Sequence, residues 1–257
     1  MKTFKKIIIG ASCWSAGRIL QGDTECLVID RHAAIGREYF DTYRECLPND
    51  APLNTPAARE LRRELSERGK SGDTAALAPA LYAKLHHLTG QFRLWTEITG
   101  IRREADCWRI SIHDVEGDKV LHAESLIDCT PECITRPDFG RSNTVGIRLN
   151  AILLAPGCGK WESSSLRLRP GRREDEFVLS VQIPPGTGWA TARALLLAEW
   201  RKRPESWRDA RICTIAGEFE YEVRESSARL DDNYHYFNSA RFSDPLAALD
   251  DAGDTIC

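Results

Sequence analysis

The residues with the clearest capacity for chemistry stand in one early stretch, "KKIIIGASCWSAGRILQGDTECLVIDR", Lys5 to Arg31. An apolar run ends on Gly10, a short helical segment opens at Ser12, and a second apolar run ends on Asp30. A glycine turn entering a helix presents free backbone N–H groups and the positive end of the helix dipole, which together favour an anion such as a pyrophosphate. A carboxylate closing the adjacent strand is placed to accept from the hydroxyls of a ribose. This order of elements is that of a dinucleotide-binding βαβ unit.

The fingerprint of such units carries glycine for the tight turn, for close approach of backbone to the pyrophosphate and for helix–strand packing. Here Gly10 keeps the first role, while Ser12 and Ser15 stand at the second and third. Serine is small enough for the packing position, and its hydroxyl can donate to a phosphate. Trp14 is the awkward neighbour: turned to the groove it blocks a pyrophosphate, turned to the sheet it fills space beside a short helix. For Asp30 the plainer role is a surface residue that closes a strand.

Other candidates are weaker. Cys129 and Cys133 stand too far apart in sequence for a C-x-x-C redox pair, and the nine cysteines form no even framework. The six histidines are scattered, and adjacent His86 and His87 cannot share a helix face, so no metal site is expected. A net charge of −3 with mixed basic and acidic runs gives no nucleic-acid or membrane-surface signature. No stretch approaches the ~20 apolar residues of a membrane span. The apolar run Ile7–Ile9 is too short for a signal peptide, which leaves a cytoplasmic location as the expectation.

Around these residues the chain reads as alternating elements. "KIIIG" and "CLVID" are continuous apolar runs, as in parallel strands buried on both faces. "AAIGREYF" and "LPNDAPLNTP" read as irregular. Thr55-Pro56 opens a helix through "AARELRRELSERG", and a second helix runs through "TAALAPALYAKLHHLTG" to Gly90. Strands with turns near Ala105-Asp106 and Glu116-Gly117-Asp118 lead to "ESLIDCT". Beyond Thr144 the pattern is antiparallel, in "TVGIRLNAILLAP", "SSLRLRP" and "EFVLSVQIPPG", with one strong helix, "WATARALLLAEWRKR". The fold class is α/β with an added antiparallel sheet.

Segments in this order resemble the FAD-dependent oxidoreductases of the two-dinucleotide-binding-domain, glutathione-reductase-like type. They are the βαβ opening with "DRHAAIGRE", the helix and strand "LAPALYAKLHHLTGQFRLWTEITGIRRE", the strand "HAESLIDCTPE", and "EVRESSARL" with "RFSDPLAALDDAG". The resemblance implies a Rossmann-like FAD-binding domain with parallel sheet and β-meander over 1–140. It implies an antiparallel-sheet substrate-type domain with a helix over 141–216, and a segment over 217–257 that packs back on the first domain. It further implies that Gly10, Ser12, Ser15, Asp30, Arg31 and Thr130 contact FAD, and that hydride passes between a small organic substrate and the flavin. Arg224 and Glu225 become candidates near the substrate, with a surface ion pair as the plainer alternative.

The sequence departs from that pattern. Pro131 replaces a glycine after Thr130 and has no N–H to offer. The family's closing segment, which carries a Gly-Asp or Gly-Arg motif, is not found before Cys257. Its absence implies uncovered apolar surface around "KIIIG" and "LIDCT", and association with a second copy or another polypeptide. The alternative is that "NYHYFNSARFSDPLAAL" plugs the gap from within through Tyr234, Tyr236 and Phe237. Two functional expectations follow: an FAD-dependent oxidoreductase, or a non-catalytic binding module or subunit on the same scaffold. An NAD-dependent dehydrogenase is less favoured, because the meander fits the flavoprotein pattern.

Overall fold

The computed structural model describes residues 3–44, 46, 51–70, 73–158, 161 and 166–251. Along the chain, β1 (Thr3–Ile9), α1 (Cys13–Leu20) and β2 (Cys26–Ile29) are followed by α2 (Arg37–Phe40), α3 (Pro56–Glu67) and α4 (Thr74–Leu85). Then come β3 (Phe92–Arg93), β4 (Glu97–Glu104), β5 (Cys107–Asp114), β6 (Gly117–Asp128), α5 (Pro137–Asn143) and β7 (Thr144–Leu154). β8 (Leu166–Pro170), β9 (Glu176–Gln182), α6 (Trp189–Arg201), β10 (Arg211–Ile215) and β11 (Glu220–Val223) precede β12 (Ser227–Asp231), β13 (Tyr234–Phe237) and α7 (Pro245–Asp250). These elements form two compact units, one from residues 1–40, 45–142 and 225–257, the other from 41–44 and 143–224.

The first unit is built on a sheet ordered β12-β13-β6-β1-β2-β3 among the described residues, with β5 pairing β6 and β4 pairing β5. β1 runs parallel to both β2 and β6, β13 parallel to β6, and β3 parallel to β2. Ile7–Ile9 of β1 and Cys26–Ile29 of β2 are apolar throughout because both faces are covered there; Ile7, Ile8, Leu27 and Val28 are each at most 1% exposed. β6 serves three partners, meeting β5 as an antiparallel meander at its start and β1 and β13 in parallel at its end. Thr55 caps α3 by accepting from the Ala58 amide at 3.3 Å, with Pro56 as the first helical residue.

Three details differ from the sequence expectations. "GREYF" is not irregular but folds as the short helix α2, too brief to show a helical period in sequence. α4 ends at Leu85 and tightens into a 3-10 turn over His86–Gln91. The strands of "KIIIG" and "LIDCT" are not left uncovered: Ile8 and Ile127 pack with Trp14, Phe237, Leu246 and Leu249 in one core, and Ile7, Ile9 and Leu126 pack with Tyr234 in another. Tyr236 is 1% exposed and Phe237 0%. The cover comes from within the chain, through β13 and α7.

The second unit is an antiparallel sheet ordered β10-β7-β9-β8, with β11 also on β7. Leu149, Ala151 and Leu153 of β7 share a core with Leu179 and Val181 of β9 and with Ala192 and Leu196 of α6. The alternation of β7 sends Arg148 and Asn150 to the opposite face, where register places them against Gln182 and Ser180. Asn150 is buried; its Nδ2 donates to the Thr42 carbonyl and to Glu220 Oε2, both at 2.7 Å, and its Oδ1 has no partner.

Candidate functional site

The turn from β1 into α1 is where the sequence concentrates chemistry, and its backbone has the form expected. Gly10 adopts φ +102°, and a Cβ there would stand 3.2 Å from both the Cys129 carbonyl carbon and the Thr130 nitrogen. That left-handed conformation and close approach of the chain after β6 demand glycine. Ser12 caps α1 in a reciprocal box: its Oγ accepts from the Ser15 amide at 3.1 Å, and Ser15 Oγ accepts from the Ser12 amide at 2.8 Å. Ser15 also donates to the carbonyls of Gly10 or Ser12, at 3.0 and 2.9 Å. Both serines are thus engaged in building the turn.

The remaining amides of the turn are also paired, and two of their acceptors are carboxylates. The Ala11 amide donates to Asp30 Oδ2 at 2.6 Å, and the other Asp30 oxygen accepts from the His32 amide at 2.7 Å and meets the His32 ring at 2.9 Å. The Cys13 amide donates to Glu38 Oε1 at 2.8 Å. Ser239 completes the arrangement by donating its hydroxyl to the same Glu38 oxygen at 2.7 Å and accepting from the Trp14 amide at 3.3 Å. A carboxylate at the first turn of a helix lies with the dipole and is stabilised there.

The local chain explains how Glu38 reaches this position. Gly36 turns with φ +85°, donates to the Ala11 carbonyl at 2.8 Å, and brings α2 against Cys13, whose sulfur would lie 3.0 Å from a Cβ at Gly36. Tyr39, fully buried, donates its hydroxyl to the carbonyls of Ser239 and Phe242 at 2.9 and 3.2 Å. Trp14 points away from the turn into the core, its ring 4.4 Å from that of Phe237, with an indole N–H that finds no acceptor. Of the two orientations open to this residue, the space-filling one is observed.

A second turn closes β6. Asp128 is 0% exposed; its Oδ1 accepts from the Thr130 amide and hydroxyl at 2.8 and 2.5 Å, and its Oδ2 from the Thr135 amide and hydroxyl at 2.9 and 2.5 Å. Tyr234 in turn donates to the Thr135 hydroxyl. Burial raises the Asp128 carboxyl above the usual range, and the hydrogen bonds from Thr130 and Thr135 pull it back only in part. Burial likewise holds the Cys13, Cys129 and Cys133 thiols high and pushes Cys26 up to about 12, so these sulfurs stay protonated at neutral pH.

Gly10, Ser12, Ser15, Asp30 and Thr130 therefore gather at the carboxyl ends of β1, β2 and β6. Arg31 lies at the edge of this group, paired with Glu132 at 3.2 Å. Arg224 and Glu225 follow β11 and are exposed. Sequence reasoning does not single out Glu38 or Ser239, which bond each other across 201 positions. A glutamate two residues after a glycine in "GRE" is the only local signal.

The first unit is a mixed sheet with a parallel β2-β1-β6 core and a meander, and the second is an antiparallel sheet, which together define an α/β fold. No family model and no curated protein matches the sequence. Among solved structures, the chain is similar to aklavinone-11 hydroxylase in complex with FAD and aklavinone, with TM-score 0.56, 13% identity, and coverage of 98% of this chain and 61% of that one. It is similar to CabE, an aromatic hydroxylase from angucycline biosynthesis (TM-score 0.55, 12% identity, 91% of this chain and 56% of that one). p-Nitrophenol 4-monooxygenase PnpA from Pseudomonas putida DLL-E4 is a third (TM-score 0.52, 10% identity, 92% of this chain and 72% of that one). The chain spans about three fifths of the first of these proteins.

The backbone at Gly10 has the course a pyrophosphate needs, but the donor set does not fit one as it stands. The amides from Ala11 to Ser15 are spent on internal acceptors, and the Glu38 carboxylate occupies the place an anion would take. Thr130 spends its amide on Asp128.

Proposed function

We propose that this chain is an FAD-dependent oxidoreductase-like protein, with the first unit as the dinucleotide-binding part and the second as the part that meets a small organic substrate. The observation that carries the reading is the parallel β2-β1-β6 arrangement with Gly10 at the mouth of α1 and Asp30 at the end of β2. Likeness to a hydroxylase solved with FAD and aklavinone supports the cofactor, and the aromatic hydroxylases among the similar structures support an aromatic small molecule as the substrate class. The reading stands at the level of FAD-dependent oxidoreductases; the glutathione-reductase-like branch and hydride transfer are its finer form. FAD, when bound, supplies the redox chemistry. Gly10, Ser12, Ser15, Asp30, Arg31 and Thr130 are the residues proposed to border it.

A second reading, a non-catalytic module or subunit on the same scaffold, draws on one observation: the turn's donors are already satisfied. Association with a second copy or another chain belongs to that proposal. The deciding experiment is spectroscopic. Purified chain that carries a flavin absorbance band, or that quenches added FAD fluorescence in a saturable way, supports the first reading. Protein that does neither, while folded by circular dichroism, supports the second.

A further inference from the structure

We infer that Glu38 is a built-in anion that seals the nucleotide seat at the mouth of α1, so that a diphosphate enters only when this carboxylate is displaced. The inference rests on the proposal that the Gly10 turn is a nucleotide seat, and it specifies how that seat is controlled. Free amides at a helix N-terminus draw anions because they combine unpaired donors with the positive end of the dipole. Here Cys13 donates to Glu38, and Ser239 bridges Glu38 to the Trp14 amide. Neither amide is left for a second anion.

Two features make this a seal and not an incidental contact. Glu38 is delivered from outside the turn, 25 positions from Cys13, by a glycine whose left-handed backbone and tight approach to Cys13 disfavour any side chain there. Ser239 belongs to a third segment and presents its hydroxyl to the same oxygen that the Cys13 amide uses. A tethered anion held in place competes at a high effective concentration, on the order of millimolar or more for a short connection. A soluble diphosphate must therefore exceed that competition through contacts elsewhere along its length.

The seal is reversible in chemistry, since no covalent bond forms. When Glu38 leaves, the Cys13 amide and the Ser239 hydroxyl proton are released together, while the Trp14 amide stays on the Ser239 oxygen. The two released donors are what a phosphate would meet.

The test uses the full chain as wild type, Glu38→Ala and Glu38→Gln, titrated separately with inorganic pyrophosphate, ADP and FAD, and read by thermal shift and tryptophan fluorescence. The expected result is a lower melting temperature for Glu38→Ala that recovers when pyrophosphate is added. Its affinity for pyrophosphate should exceed that of wild type by about tenfold or more. Glu38→Gln, which keeps an acceptor without the charge, should fall between them. A folded Glu38→Ala protein that gains nothing from pyrophosphate, or wild type that binds it as tightly, overturns the seal. Should Glu38→Ala fail to fold, Glu38→Gln carries the same two outcomes. Binding of pyrophosphate and ADP but not FAD by the variants upholds the seal and rejects the flavin reading. Tight FAD binding by wild type with no gain in the variants does the reverse.

Discussion

The turns that close β1 and β6 stand side by side, and each is held by a buried or half-buried carboxylate, yet the two are built differently. After β6, Asp128 bonds residues two and seven positions ahead of it, so turn and carboxylate are one local unit. After β1, the Cys13 amide is satisfied by Glu38 from 25 positions away, and the Trp14 amide by Ser239 from 225 positions away. A local closure forms with its own segment and cannot open without unfolding it. A closure assembled from distant segments can open while each segment keeps its structure. The difference marks the β1 turn as the place where a ligand could exchange with the protein's own groups.

The largest effect should come from the shared support under the β1 turn. Trp14→Ala removes a fully buried indole packed on Phe237 and should cost about 3–5 kcal/mol in urea unfolding. Trp14→Phe should cost far less, because the lost indole N–H had no acceptor. Equal losses for both would mean that Trp14 acts through something other than packing volume.

Next comes the local turn. Asp128→Ala strands the amides and hydroxyls of Thr130 and Thr135 and should cost roughly 2–4 kcal/mol. Its pH dependence sharpens the comparison. Burial raises the folded Asp128 pKa, so the folded state binds more protons than the unfolded state. Stability should therefore decline as pH rises from the ordinary aspartate range through the raised folded value, and Asp128→Asn should abolish that part of the slope. A slope of the opposite sign, lost in Asp128→Asn, would break the account of this carboxylate.

The distant closure should matter less to stability. Glu38→Ala should cost about 1–2 kcal/mol by denaturant unfolding, less than Asp128→Ala in the same assay. The smallest effect is in hydrogen exchange. Cys13 and Trp14 amides should exchange through a local opening while Thr130 and Thr135 amides wait for a larger one. Protection of equal size at both turns would remove the distinction between them.

How much of this is legible in sequence follows the same division between local and distant. Gly10 and Asp30 announce themselves through residue type and spacing, and Thr55-Pro56 marks the start of α3 by cap chemistry alone, whereas Ser12, read as a phosphate donor, is spent with Ser15 in capping α1. The apolar runs of β1 and β2 carry the parallel core because burial on both faces leaves no polar alternation. By contrast, α2 is too short for a helical period to be read. β13 is a four-residue strand set beside β6, a neighbour far away in sequence. The orientation of Trp14 depends on Phe237, and the occupation of the turn depends on Glu38 and Ser239. No local pattern encodes such meetings.

The Tyr39 hydroxyl has a bearing on time as well as on structure. By holding the carbonyls of Ser239 and Phe242, it pins α2 and the segment after β13 together on either side of Glu38. With both backbones fixed, departure of Glu38 from the Cys13 amide and the Ser239 hydroxyl would proceed by rotation about its own side-chain bonds, with no loop swinging out. Side-chain rotations are fast beside the microsecond-to-millisecond motions of loops and domains. Occupancy of the turn would then be set by competition at equilibrium, and binding would rise with ligand concentration without a lag for opening.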